Sequence, residues 1–314
     1  MSTVQTGGYP EIRVQESKER TVRELLPLYT AFATHEWRLA PKTVRGYVEG
    51  INRILKVLGD VAPQEIDLQR VLMLKADLRA GEVGDCWTRQ IINSLRSFLR
   101  FSRLVLNLNV VDPKTISMPR IPRREVIFLT PSEIEQFLAA VPVIDPETKR
   151  MNLRWLGFRC LMEVLVATGM RISEALSLKV THINLDSGEA QVVGKGNKQR
   201  TVFFTARALG YVREFANKRN DPSEWLFVYP DGSRVTVNTV EQNCRKVCRW
   251  ARLEKKVTPH ILRHTCATTL LHNGCPIGFI KEVLGHDRLE TTCRYYLGTD
   301  KRAAKEAHRK YLDF

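Results

Sequence analysis

Long apolar runs are missing from this chain. Its 314 residues contain no stretch of about 18 consecutive apolar residues, so no membrane-spanning helix is expected. The opening MSTVQTGGYPEIRVQESKER lacks the apolar centre of a secretory signal, and the expectation is a cytoplasmic, nucleoid-associated protein. Tight CxxC pairs are missing too. The seven cysteines (Cys86, Cys160, Cys244, Cys248, Cys266, Cys275 and Cys293) are scattered and odd in number, as reduced thiols are. Cys244 and Cys248 stand four apart, with His264 and His272 further on. That set offers metal ligands without the paired spacing of a zinc module, so small buried thiols and no metal are expected. Acidic residues are in short supply: 34 Asp and Glu face 49 Lys and Arg, a net charge of +15. An excess of that size points to a polyanionic partner, nucleic acid ahead of an acidic membrane surface, because each phosphate neutralised releases counterions.

What is present suits two domains. The hydrophobic share of 43% supplies material for real cores. Residues 1–20 are polar and read as a loose tail. Apolar residues then recur at helical spacing over 22–35, 42–58, 64–79 and 86–105, which predicts a compact four-helix unit over 21–110. The stretch 111–129 is basic and Pro-rich, with Pro113, Pro119 and Pro122, and reads as an extended linker able to cross a phosphate backbone. Thr130-Pro131-Ser132-Glu133 is a capping box that opens a second domain over 130–314. Helices are predicted over 152–168, ending at Gly169, and over 171–178. GEAQVVGKGNKQRTVFF alternates about a Gly-rich turn and predicts a β-hairpin. Further helices are expected up to about 252 with Asn238 and Glu241 as caps, from Thr258-Pro259 to Asn273-Gly274, and from Pro276 to Gly285. Another should start at Asp287 and Glu290, and the last should span 300–311.

The second domain also gathers residues suited to phosphoryl transfer. A phosphodiester gains charge on its non-bridging oxygens as it reacts, and fixed guanidinium groups meet that charge with paired donors. Arg171 stands at a predicted helix N-terminus, where anions are favoured. His260 and Arg263 are three apart in HILRHTCATTLL and share one helix face. Lys195 lies in the hairpin turn, with Lys198 and Arg200 as rival cations; His286 follows Gly285 at a helix corner; Tyr295 and Tyr296 stand on the next helix.

TGMRISEALSL, VVGKGNKQRTVFF, HILRHTCATTLLHNG and VLGHDRLETTCRYYLG resemble, in order and spacing, the signature boxes of the tyrosine recombinases, the phage integrases and Xer-type enzymes. The resemblance is strong over 130–314, whereas residues 22–110 resemble the family's core-binding domain by pattern alone. It implies a mainly α fold with a small β-sheet. A helical core-binding domain would precede an α+β catalytic domain, the two closing as a C-shaped clamp around DNA. It also implies roles. Arg171 and Arg263 would clamp the scissile phosphate and Glu174 would support the site. Lys195 would protonate the departing 5′ oxygen, His260 would act as general base and His286 would contact the phosphate. Tyr295 would be the nucleophile, nine residues beyond His286. The implied reaction is site-specific recombination through a 3′-phosphotyrosine and a Holliday junction, serving chromosome dimer resolution or mobile-element integration and excision. It would need no cofactor. The implied partners are an inverted-repeat site in duplex DNA and three further copies of the chain, joined through the C-terminal helix, with room for a partner recombinase or accessory protein.

Two other classes use some of these features. A type IB topoisomerase or hairpin-forming strand transferase needs a similar cluster, and a non-catalytic DNA-binding protein needs only the charge. Arg45, Arg89, Arg96, Arg100 and Lys114 are candidate phosphate contacts in the first part of the chain, each equally readable as a solvated face.

Overall fold

A computed structural model of the chain describes residues 20–120, 127–194, 198–285 and 309. The chain divides into two units, Met1–Arg123 and Arg124–Phe314. Among the described residues no helix is long and apolar enough to cross a membrane.

The described residues of the first unit form four α-helices: α1 (Val22–His35), α2 (Pro41–Leu58), α3 (Leu68–Ala80) and α4 (Asp85–Leu104). Thr21 caps α1 in a full capping box with Glu24, and Pro41 occupies the first turn of α2. The helix expected over 64–79 is two elements, a 3-10 turn at Pro63–Glu65 and then α3, because Asp67 turns its carboxylate back onto the Arg70 N–H and starts a new helix. An aromatic cluster of Tyr29, Phe98 and Phe101 sits at the centre of the unit, Tyr29 lying 5.5 Å from each of the other two ring centroids. The Tyr29 hydroxyl shares a 2.8 Å hydrogen bond with Ser97, and burial pushes its pKa up to about 12.

The first half of the Pro-rich stretch is packed onto this unit. Ile116 is buried, Lys75 donates to the carbonyl of Ser117 at 2.8 Å, and Arg89 donates to that of Pro119 at 3.2 Å. Cations on α3 and α4 therefore hold Ser117 and Pro119 against this unit.

The second unit is helical around a three-stranded antiparallel sheet. Its elements are α5 (Pro131–Ala139), α6 (Leu153–Thr168), α7 (Ile172–Ala175), β1 (Ile183–Asn184), β2 (Glu189–Val193), β3 (Gln199–Phe203), α8 (Ala206–Lys218), α9 (Val237–Trp250), α10 (Pro259–His272) and α11 (Ile277–Leu284). The capping box at Thr130 is formed, and Gly169 ends α6 in the left-handed conformation. The strand order is β1-β2-β3, with Glu189 opposite Phe203 and Val193 opposite Gln199, so the predicted hairpin is present with β1 added at its edge. The predicted helix over 171–178 stops at Ala175, because Leu178 turns its carbonyl to the Leu226 N–H. Helix α9 is capped by Thr236, whose hydroxyl accepts from the Thr239 N–H, and not by Asn238 and Glu241.

Helix α6 is the hub, packed on α5, α7, α8, α10 and β3. It buries apolar residues together with Arg159 and Glu163. Arg159 donates to Glu163 at 2.9 Å and to the carbonyl of Leu138, and Arg207 of α8 meets the same carboxylate at 2.9 Å. Both charges are thereby paired and bonded, the condition under which burying them is tolerable.

Candidate active site

Three guanidinium groups converge on the C-terminal end of α11. Arg200 of β3 donates to the carbonyl of Val283, Arg263 of α10 to that of Leu284 at 2.7 Å, and Arg171 at the start of α7 to that of Gly285 at 3.2 Å. These are successive carbonyls at the negative pole of a helix, where cations are favoured. Arg263 also donates to the Gly169 carbonyl at 2.7 Å. It is 6% exposed, so its guanidinium is held by backbone on two sides.

Glu174 sits behind this row. One carboxylate oxygen accepts from the Arg171 side chain at 2.8 Å; the other accepts from the Arg171 backbone N–H at 2.9 Å and from Arg200 at 2.9 Å. Burial alone would raise its pKa, but the Arg171 backbone bond and the charges of Arg200 and Arg171 outweigh that and hold it below the usual carboxylate range. Glu174 is thus an anion that fixes two cations. The hairpin abuts this pair: a Cβ on Gly194 would lie 3.2 Å from the Glu174 carboxylate and 3.8 Å from Arg171.

His260 stands one helical turn before Arg263 on α10. Its Nε2 lies 2.9 Å from Nε2 of His264, with the ring centroids 4.3 Å apart. One of the two nitrogens must carry the proton and the other a lone pair. Burial and then the Arg263 charge lower the His260 pKa. Burial, His260 and Arg263 lower that of His264 to about 4. Both rings are therefore neutral at neutral pH, and a neutral imidazole can accept a proton.

This pair makes a stability prediction. In the unfolded chain His264 titrates near the ordinary value of about 6.5. Between that pH and about 4 the unfolded state binds more protons than the folded one, so stability is lost as the pH falls through this window. His264→Gln removes the effect. The drop in Tm between about pH 7 and about pH 5 should be smaller in the variant than in the wild type. Equal drops would refute the assignment.

Of the expected site residues, the structure brings Arg171, Glu174 and Arg263 into one bonded cluster and sets His260 on the same helix as Arg263. Lys195, His286, Tyr295, its neighbour Tyr296, the helix start at Asp287 and Glu290 and, residue 309 apart, the 300–311 helix lie outside the described residues. Arg200, taken from sequence as a rival to the hairpin lysine, instead turns inward to Glu174. The signal was available: Arg200 shares a strand face with Val202, which is buried. His264 joins the site as well, because its spacing of four from His260 puts the two rings together. Cys160 and Cys244 are buried thiols whose pKa values burial pushes far up.

In the first unit, Arg96, Arg100 and Lys114 share a groove of about 1030 Å³ with Trp37, Tyr47 and Asn93. Arg100 stacks over the Trp37 ring, 5.3 Å from its centroid. Arg45 is exposed, and Arg89 is engaged with the carbonyl of Pro119.

The profile of the phage integrase family matches residues 127–302, which takes in the guanidinium cluster and the hairpin beside it. The chain belongs to the phage integrase family. A tyrosine recombinase of this family is a DNA-breaking and DNA-rejoining enzyme, and that is the reaction class of this chain. It is 29% identical to the tyrosine recombinase XerC of Pediococcus pentosaceus over 304 residues, covering 92% of this chain and 98% of that protein. It is 34% identical to XerC of Vibrio vulnificus over 283 residues, covering 87% and 86% respectively. Among solved structures, the Tn1549 transposon integrase in complex with transposon right end DNA superposes with a TM-score of 0.73 at 17% identity, over 92% of this chain and 99% of that one. XerH bound to its difH substrate superposes with a TM-score of 0.66 at 21% identity, over 93% and 84%. These two show the integrase fold, helical with a small sheet.

Proposed function

We propose that this tyrosine recombinase acts at a specific site in duplex DNA through a covalent 3′-phosphotyrosine. Arg171 and Arg263 hold the non-bridging oxygens of the scissile phosphate, with Glu174 fixing Arg171 and His286 donating a further hydrogen bond. His260 takes the proton of the Tyr295 hydroxyl as that oxygen bonds to phosphorus. The bond to the 5′ oxygen breaks, and Lys195 gives that oxygen a proton. Attack by the 5′-hydroxyl of a partner duplex reverses each step on a new strand, and two rounds pass through a Holliday junction. One phosphoester is exchanged for another, so no cofactor is consumed.

The row of guanidinium groups on successive carbonyls at the end of α11 carries this reading. It holds Arg171 and Arg263 on the carbonyls of Gly285 and Leu284, the two residues that precede His286 in the chain. Arg171 bonds Glu174 through one terminal nitrogen and the Gly285 carbonyl through the other, and each of these nitrogens carries a second hydrogen that an anion can accept. The cluster is preorganised, which is how fixed charge favours a transition state over a ground state.

Residues 21–110 serve as the core-binding domain and grip the backbone with Arg45, Arg89, Arg96, Arg100 and Lys114, and 111–129 cross from it to the catalytic domain. The groove that holds Arg96 and Arg100 beside Trp37 and Tyr47 suits phosphate and sugar contacts. The working assembly is a tetramer on two synapsed, inverted-repeat sites, tied through the 300–311 helix.

A suicide substrate, nicked beside the cleavage position, tests the reading. The site is sought in the DNA flanking the gene. Wild type and Tyr296→Phe should form a protein–DNA adduct, and Tyr295→Phe should form none. A wild-type protein that binds its site and never forms an adduct would refute the assignment.

A further inference from the structure

We infer that Arg200 is a positioning residue of the reaction, bracing Glu174 against the C-terminal end of α11 and so fixing the direction in which Arg171 presents its guanidinium to the phosphate. The inference rests on the recombinase reading above.

Arg200 lies on the buried face of β3 and its side chain is 12% exposed. Its two terminal nitrogens reach different elements, one the Glu174 carboxylate at 2.9 Å and the other the carbonyl of Val283. Glu174 therefore has a guanidinium on each oxygen, Arg171 on one and Arg200 on the other. A carboxylate held between two cations cannot rotate without surrendering a charge-assisted hydrogen bond. The oxygen left to Arg171 is decided by the one that Arg200 occupies.

An independent observation points the same way. Gly285 has a φ of +62°, and a Cβ there would lie 2.3 Å from Cδ of Arg200. The backbone at the end of α11 thus leaves space for the Arg200 stem while offering its neighbouring carbonyl to the Arg200 head. Two elements that hold Arg171, α7 through Glu174 and α11 through Gly285, meet at this one side chain.

A purely structural role makes a different prediction. In Arg200→Met, Glu174 keeps Arg171 as its partner, so no buried charge is left unpaired and folding is not what fails first. Arg200→Lys retains the charge but loses the fork that spans two acceptors.

The test uses the full chain and the nicked substrate, with wild type, Arg200→Lys, Arg200→Met, Glu174→Gln and the Arg200→Met, Glu174→Gln double variant. Melting and site binding are measured beside single-turnover cleavage. Both Arg200 variants should bind as the wild type does, and Arg200→Met, which leaves the Val283 carbonyl and one Glu174 bond without a donor, should melt a few degrees lower, so cleavage is read well below its melting temperature. Cleavage should fall on the order of 100-fold in Arg200→Met, the scale of a displaced catalytic group, and by less in Arg200→Lys. The double variant should cleave no more slowly than the slower single one, because both substitutions break the same brace. Wild-type cleavage in a folded Arg200→Lys and Arg200→Met overturns the inference alone. So does a loss of cleavage that merely tracks a loss of melting or binding, and so do losses that multiply with Glu174→Gln. Should Arg200→Met not fold, the same comparison is read on Arg200→Lys. A wild type that binds and makes no adduct overturns the recombinase reading and this inference with it.

Discussion

Arg263→Ala slows strand cleavage by on the order of 1000-fold and also lowers the melting temperature. The first effect is that of removing a preorganised cation from a phosphoryl-transfer site. The second follows from burial. Arg263 is 6% exposed and donates to the carbonyls of Gly169 and Leu284 at 2.7 Å each. Truncation strands both carbonyls and removes a charged donor from each, a loss of about 3 kcal/mol. In a unit of this size that is a fall in Tm of roughly 6–12 °C. Arg171→Ala separates the two effects. Its side chain is 36% exposed, so cleavage should fall comparably while the melt moves little. Site binding should stay near wild type in both, since most phosphate contacts are elsewhere. Identical melts for the two variants would contradict the structural half of this argument. Wild-type cleavage in either would contradict the catalytic half.

Gly169→Ala destabilises the catalytic unit by about 3 kcal/mol, from two sources. The residue has a φ of +59°, where a Cβ costs about 1 kcal/mol or more. A Cβ there would also lie 2.8 Å from Leu284 and 3.2 Å from the Cys266 sulfur, and overpacking of this kind adds about 1–3 kcal/mol. Cleavage should fall with stability, because the carbonyl that bonds Arg263 belongs to the residue being pushed away. A thermal melt and a single-turnover assay read both. An unchanged melt would mean that the turn gives way more easily than its contacts imply.

Much of the fold can be read from local chemistry. The Thr130 capping box, the Gly169 stop and the Thr258-Pro259 start all act within a few residues, and each is formed. What escapes reading depends on distant partners. Strand β1 is two residues long and exists because it pairs with β2, so no alternation announces it. Helix α7 ends early because Leu178 bonds Leu226, which lies far along the chain. The caps at Thr236 and Asp67 are local signals as well, Thr236 competing with Asn238 two residues on and Asp67 with apolar spacing that runs from 64 to 79. In the site, the spacing that joins His260 to Arg263 is local, and so is the bond from the Arg171 backbone N–H to the Glu174 carboxylate three residues on. The inward turn of Arg200 is half local, a cation on the face of a strand that also buries Val202. The other half, its bonds to Glu174 and Val283, is tertiary and invisible to spacing.

All three arginines hold α11 by peptide carbonyls, groups that every amino acid carries alike. A new side chain at Val283 can tilt such an anchor but cannot delete it. The cluster responds to the path of the backbone and is indifferent to its spelling at that point. Sequence drift along the outer face of α11 therefore leaves the arginines where they are. Re-aiming them by design means altering the length of that helix or the glycine through which the chain leaves it.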